Sequence, residues 1–214
     1  MKKKDIQTLN ALNAYMEMAA QPGFRSIFGG MPFGEPEEKH PYERLGDGYE
    51  LRPIEMVDAQ GNPVENREKY SHLYWEGSKV CDLVFRKGGM GGIFKDGYCA
   101  LIHYVQKKPH TEKSHGFDFG IHVIINKLGD ICLSGTGISS YPSHCGGNLG
   151  KLKDTYYNLC TGEEVLTCSS SGSTDGKNYI FVDHRYDWYD KSLPLGIYRI
   201  DKRTCEYEKV DDTK

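Results

Sequence analysis

Cys145 stands in the segment GTGISSYPSHCGGNLGK, Gly135 to Lys151, directly after His144 and before Gly146 and Gly147. A thiol beside exposed glycine amides is the pattern of a nucleophile with an oxyanion cradle, and His122, His103 or His115 could serve as its base. Neighbouring side chains on an extended chain point to opposite sides, so His144 itself is a poor partner for Cys145. The competing reading is a glycine-rich loop whose free cysteine packs as a small hydrophobe. One expectation is therefore an enzyme or a small-molecule or anion binder that uses this loop, with Cys145, His144 and His122 as its residues.

Other chemistry has weaker footing. His110, His115 and His122 lie close in sequence with Asp118 between them, but their spacing in a Pro- and Lys-rich stretch has no preferred metal geometry, and no Cys-x-x-Cys pair occurs. Neither a metal nor any other cofactor is expected. RKGGMGGIFKDG, from Arg86 to Gly97, gathers glycines near lysine yet lacks the spacing and Lys-Ser/Thr ending of a phosphate loop. A small anion held between this run and GTGISS is the reading left open. Asp183, Asp187, Asp190 and Glu163 could supply paired carboxylates, but no spacing sets them at the separations glycoside hydrolysis requires.

The densest recognition chemistry is in FVDHRYDWYDKSLPLGIYRID, Phe181 to Asp201. Its His184–Lys191 run has no apolar alternation and reads as a loop between two strands. Loops on a rigid scaffold carry recognition, and Tyr, Trp and Arg dominate interface hot spots. The candidate binding residues are His184, Arg185, Tyr186, Trp188 and Tyr189, with Trp188 and Tyr186 also able to fold inward as a plug.

Composition narrows the field. The chain has 214 residues, a net charge of −3, 38% hydrophobic residues, 15 Tyr and 8 Phe. That profile belongs to a folded chain with the core of one well-buried domain. Acidic and basic residues are mixed, so no electrostatic footprint for nucleic acid arises. The N-terminal run is interrupted by Asp5, Gln7, Asn10, Asn13 and Glu17, unlike a signal peptide, and no segment has the apolar length of a membrane span. Seven cysteines without scaffold spacing fit reduced thiols in the cytoplasm.

Two regions position these residues. Residues 1–48 read as a helix, with Ile6, Leu9, Leu12, Met16 and Ala20 on one stripe, followed by an irregular arm rich in Gly, Pro and Glu. Residues 49–214 read as an antiparallel β domain. Polar corners recur around Gly61, Gly97, Gly129 and Gly162, and a fifth places Cys205 where the others have glycine. Asx and Thr side chains bond nearby backbone while glycine takes the left-handed turn position, so each corner predicts a hairpin. Strands are expected at Ser78–Arg86, Cys99–Gln106, Phe119–Asn126, Asp130–Gly135, Thr155–Leu159, Glu164–Cys168, Tyr179–His184 and Leu195–Asp201. The corners lie near a 33-residue period once the Ser/Gly-rich Ser169–Asn178 is set aside as an inserted loop. The fold class is mainly β with one N-terminal helix: antiparallel sheets from about five hairpin units, of propeller or sandwich type. In pattern alone the units resemble the short repeats of propeller-type proteins, which implies no particular activity. The favoured role is non-catalytic: a cytosolic binding protein of inhibitor, immunity or phage-encoded antagonist type that meets a protein partner through its aromatic loop.

Overall fold

In the computed structural model the described residues are 41–88, 92–105, 117, 119–135, 140–169, 172–174, 177–185 and 193–210. The expected N-terminal helix lies outside them. The chain from Tyr42 onward forms one compact unit, so its first strand falls within the stretch that composition assigned to the arm. Every described element is a strand: β1 (Glu43–Gly46), β2 (Tyr49–Pro53), β3 (Met56–Val57), β4 (Pro63–Val64), β5 (Ser71–Trp75), β6 (Ser78–Arg86), β7 (Tyr98–Tyr104), β8 (Ile121–Asn126), β9 (Ile131–Ser134), β10 (Ser143–Gly146), β11 (Leu149–Leu152), β12 (Thr155–Asn158), β13 (Glu164–Thr167), β14 (Ser173–Thr174), β15 (Tyr179–Asp183), β16 (Ile197–Asp201) and β17 (Tyr207–Val210). Among the described residues no helix is long and apolar enough to cross a membrane.

The strands form antiparallel meanders. A seven-stranded sheet runs β1-β2-β5-β6-β7-β8-β9, two four-stranded sheets run β10-β11-β12-β13 and β14-β15-β16-β17, and β3 pairs with β4. None of these closes into a barrel. All eight strands expected from alternation are present. Ile180, Val182, Tyr198 and Ile200 show why, since every second residue of β15 and β16 is buried.

Directly paired residues share a face, which assigns the two sides of the large sheet. Leu51 opposes Leu73, Leu101 opposes Val123 and Cys99 opposes Ile125. These side chains form one core with Leu45 and Phe85. The sheet curls around that core, and the Tyr49 hydroxyl on β2 donates to the Lys127 carbonyl beyond β8 at 3.0 Å. The other side presents Tyr98, Ala100, His122 and Ile124, with Ala100 opposite Ile124 and Ile102 opposite His122.

Tyr98, Ile124 and Leu133 on that side pack against Leu152 and Leu159 of the β10–β13 region. The opposite face of the same small sheet sets Leu149, Tyr156 and Leu166 against Ile180, Val182 and Ile200. The middle sheet is therefore buried on both faces, and each such Leu or Ile contributes about 1.5–3 kcal/mol when removed from water.

The five corners are all chain reversals, and their chemistry repeats. Asp58 Oδ1 accepts from the Gln60 and Asn62 amides at 2.9 and 2.8 Å, and Asn126 Oδ1 accepts from Leu128 and Asp130 at 2.9 and 3.0 Å. Asn158 and Asp201 open six-residue corners in the same manner, bonding Cys160 N at 2.9 Å and Arg203 N at 2.8 Å. Thr161 and Thr204 then accept from Glu163 and Glu206, each at 3.3 Å. Gly162 and Cys205 take the same left-handed position, at φ 76° and 61°. The corners at 129, 162 and 205 each join the last two strands of β6–β9, β10–β13 and β14–β17, whereas Gly61 links the short β3 and β4, and Gly97 turns the chain into β7. Equivalence thus holds for three corners rather than five, and sheet size does not follow the 33-residue spacing.

Two segments differ from expectation. SHCGGNLGK is not a loop but the β10–β11 hairpin, turning at Gly146 and Gly147 with φ 104° and 54°. Within the supposed insertion Ser169–Asn178, β14 pairs with β15, and the Asn178 carbonyl accepts from Lys202 N at 2.8 Å. Gly and Ser have low strand propensity, and both strands are held by their neighbours' ladders instead.

Candidate functional site

A cavity of about 540 Å³ lies against the Tyr98–His122 side of the large sheet. The two glycine-rich segments wall it: Gly88, Gly92 and Lys95 come from the first, and Tyr141 and His144 from the second. Its size falls within the range of roughly 300–1,000 Å³ usual for ligand pockets.

Each side chain reaches the cavity through its element. Tyr98, Ala100 and His122 share one face of β7 and β8 by register. His122 is half-buried, and burial holds its imidazole below the usual histidine range, so it is neutral at pH 7. The Tyr141 ring meets it edge-on with centroids 4.2 Å apart. His144 arrives on β10, one residue from Cys145, and its Nε2 lies 2.9 Å from the Gly147 carbonyl. A carbonyl only accepts, so it is Nε2 that carries a proton in this contact. The Tyr98 ring is 5.4 Å from that imidazole. Its hydroxyl lies 3.1 Å from Cys160 Sγ and donates to Asn148 Oδ1 at 3.3 Å. Burial first, then the Cys160 contact, pushes its pKa upward, so Tyr98 remains a neutral phenol.

Lys95 is positioned by a four-residue turn in which Lys95 and Tyr98 exchange two 2.9 Å backbone bonds across Asp96 and Gly97. The left-handed φ values of 50° and 90° at Asp96 and Gly97 are those of a primed hairpin turn. Asp96 leaves the pocket: its Oδ2 accepts from Gly147 N at 3.0 Å. Among the described lining residues Lys95 is a cation and none is a carboxylate.

Of the glycine amides expected to cradle an oxyanion, the Gly147 N–H is bonded to Asp96. Cys145 is absent from the cavity wall and packs toward the second small-sheet core. Alternation along β10 sends His144 and Cys145 to opposite sides, and burial raises the Cys145 thiol above its ordinary range. Of the seven thiols Cys160 alone is exposed. Competitive alkylation at neutral pH is expected to mark Cys160 first and Cys145 slowly; Cys145 reacting ahead of Cys160 would restore the nucleophile.

The aromatic-loop candidates fare differently. Tyr186, Trp188 and Tyr189 lie outside the described residues, as do His110, His115 and Asp118. His184 is fully buried, with Nδ1 3.4 Å from the equally buried Cys168 Sγ, so it faces the core rather than a partner. Arg185 grips Asp183 at 2.9 and 2.7 Å, and those hydrogen bonds draw the Asp183 carboxyl down to about 2. Among the described residues no group of three or more His, Cys, Asp or Glu is placed to hold a metal ion.

Sequence reasoning missed Tyr98, Tyr141 and Lys95. The chain carries 15 tyrosines, and nothing in its order singles out the two whose rings border imidazoles. Comparison with family models, with curated proteins and with solved structures finds no match.

Proposed function

We propose that the protein binds a small organic molecule between its two glycine-rich segments, without covalent chemistry. The observation that carries this reading is the cavity uniting Gly88, Gly92 and Lys95 with Tyr141 and His144 above Tyr98 and His122. Apolar walls with a few convergent polar groups are the usual composition of such a site. Recognition of a protein partner through the loop after Asp183 has less support, because its described members, His184 and Arg185, are engaged within the fold.

A fragment library screened by ligand-observed NMR tests the reading. Hits are expected for the wild type and are expected to be lost in Ala100→Leu, whose longer side chain enters the cavity. Gly88→Ala is the milder companion: the new methyl would sit 3.6 Å from Ile102 Cγ1 and 3.8 Å from His122 Cε1, ordinary contact that leaves the fold intact. A several-fold weakening is expected there. Hits that bind all three proteins equally would place binding elsewhere, and a screen without hits would end the reading.

A further inference from the structure

We infer that the ligand of this cavity is a flat aryl acid with a single negative charge, its ring held among Tyr98, Tyr141 and His122 and its anionic group taken by Lys95. The inference rests on the pocket reading above and adds the chemical class.

Shape comes first. Tyr98 stands beside His144 with centroids 5.4 Å apart at 54°, and Tyr141 beside His122 at 4.2 Å and 62°. Two tilted ring pairs leave faces and edges for a third planar group, and aromatic rings favour offset and edge contacts. Gly88 adds no side chain beside His122, whose Cε1 a Cβ there would reach at 3.8 Å.

Charge comes second. A pocket of rings alone would favour a cation over their faces. Here Lys95 lines the wall and repels one, and no carboxylate among the described lining residues offsets it. The carboxylate nearest in sequence, Asp96, is bonded to Gly147 N at 3.0 Å, and Lys87 is paired with Glu43 at 3.8 Å. His122 is neutral and His144 spends its Nε2 proton on Gly147 O. One ammonium, with no carboxylate among the described lining residues, matches one anionic group. A phosphoryl dianion calls for the denser set of arginines, amides or helix ends found at phosphate sites.

Three probes that share the naphthyl ring decide the question by calorimetry on the full chain: 2-naphthoate, 2-naphthamide and 2-naphthylmethylamine. The acid is expected to bind, the amide about tenfold or more weakly through loss of the charge-assisted bond, and the amine not at all. Lys95→Gln is expected to bring the acid down to the level of the amide. Lys95 is exposed, so this change spares the fold. An amide or amine that matches the acid, or acid affinity indifferent to Lys95→Gln, would overturn the aryl-acid assignment and leave the pocket standing. If none of the three binds, the charge of the fragment hits decides: acids uphold the assignment, and neutral or cationic hits overturn it. Absence of any hit sensitive to Ala100→Leu would remove pocket and assignment together.

Discussion

Gly147→Ala is expected to cost about 3–5 kcal/mol, the range of substitutions that force backbone apart. A Cβ at this position would lie 2.4 Å from the Lys202 carbonyl oxygen, 2.8 Å from its carbon and 3.2 Å from Arg203 N. These are main-chain atoms of the β16–β17 corner and cannot rotate away. Relief requires the β10–β11 turn to withdraw, which breaks the 2.7 Å bond from Asn148 N to Lys202 O and the 3.0 Å bond from Gly147 N to Asp96. It also moves the carbonyl that fixes His144, so ligand binding is expected to fall with stability. Gly162→Ala is the control. It too has positive φ, 76°, but nothing lies within 4 Å of its added methyl. That change is expected to cost about 1 kcal/mol, the strain of the left-handed conformation alone. Urea midpoints measure both, and equal losses would show that the contact with Lys202 is not what demands glycine at 147.

The second large effect is expected at Asn148, where three parts of the fold meet. Its Nδ2 donates to Arg203 O at 2.7 Å and its Oδ1 accepts from Tyr98 at 3.3 Å. Its carbonyl accepts from Leu159 N at 2.7 Å and from Cys205 Sγ at 3.5 Å. Asn148→Ala removes its side-chain bonds to the Arg203 carbonyl and the Tyr98 hydroxyl together, at a cost of about 1–2 kcal/mol. Tyr98→Phe removes one bond of the same network and is expected to cost about 1 kcal/mol. The double variant should be less destabilised than the sum of the two, because the Tyr98–Asn148 bond is lost only once. Strict additivity in urea denaturation would show that the two side chains are not coupled.

Much of this fold is written locally. The alternation in YIFVD and IYRID, and the Asx, Thr and left-handed residues of the corners, each act within a few positions, so strands β6–β9, β12, β13, β15 and β16 can be read directly. Cys205 in the glycine position was legible for the same reason: Asp201 and Thr204 around it repeat Asn158 and Thr161. The β10–β11 hairpin was not legible, because Gly146, Gly147 and Gly150 strip it of strand propensity and it survives by pairing with β12 and docking on Lys202. Gly150 is itself imposed from outside, since a Cβ there would meet Leu159 Cδ2 at 2.6 Å and Leu133 Cδ2 at 3.1 Å.

The site divides along the same line. His122, His144 and both glycine-rich segments stood out by residue type. Their meeting at one cavity did not, for it depends on register between β7 and β8 and on the face that β10 turns inward. The buried Cys168–His184 contact also escaped notice, joining residues beyond the ends of β13 and β15 that only sheet packing brings together.

The paired six-residue corners separate where the chain turns from what its strands contain. One side-chain acceptor, one hydroxyl and one residue tolerant of the left-handed region close the reversal, whichever apolar residues flank it. Strand interiors are then free to change size and identity in step with the layer they face. A polypeptide made this way can be lengthened by copying a strand–corner–strand module, each copy arriving with its own folding instructions and needing only a neighbour to lie against.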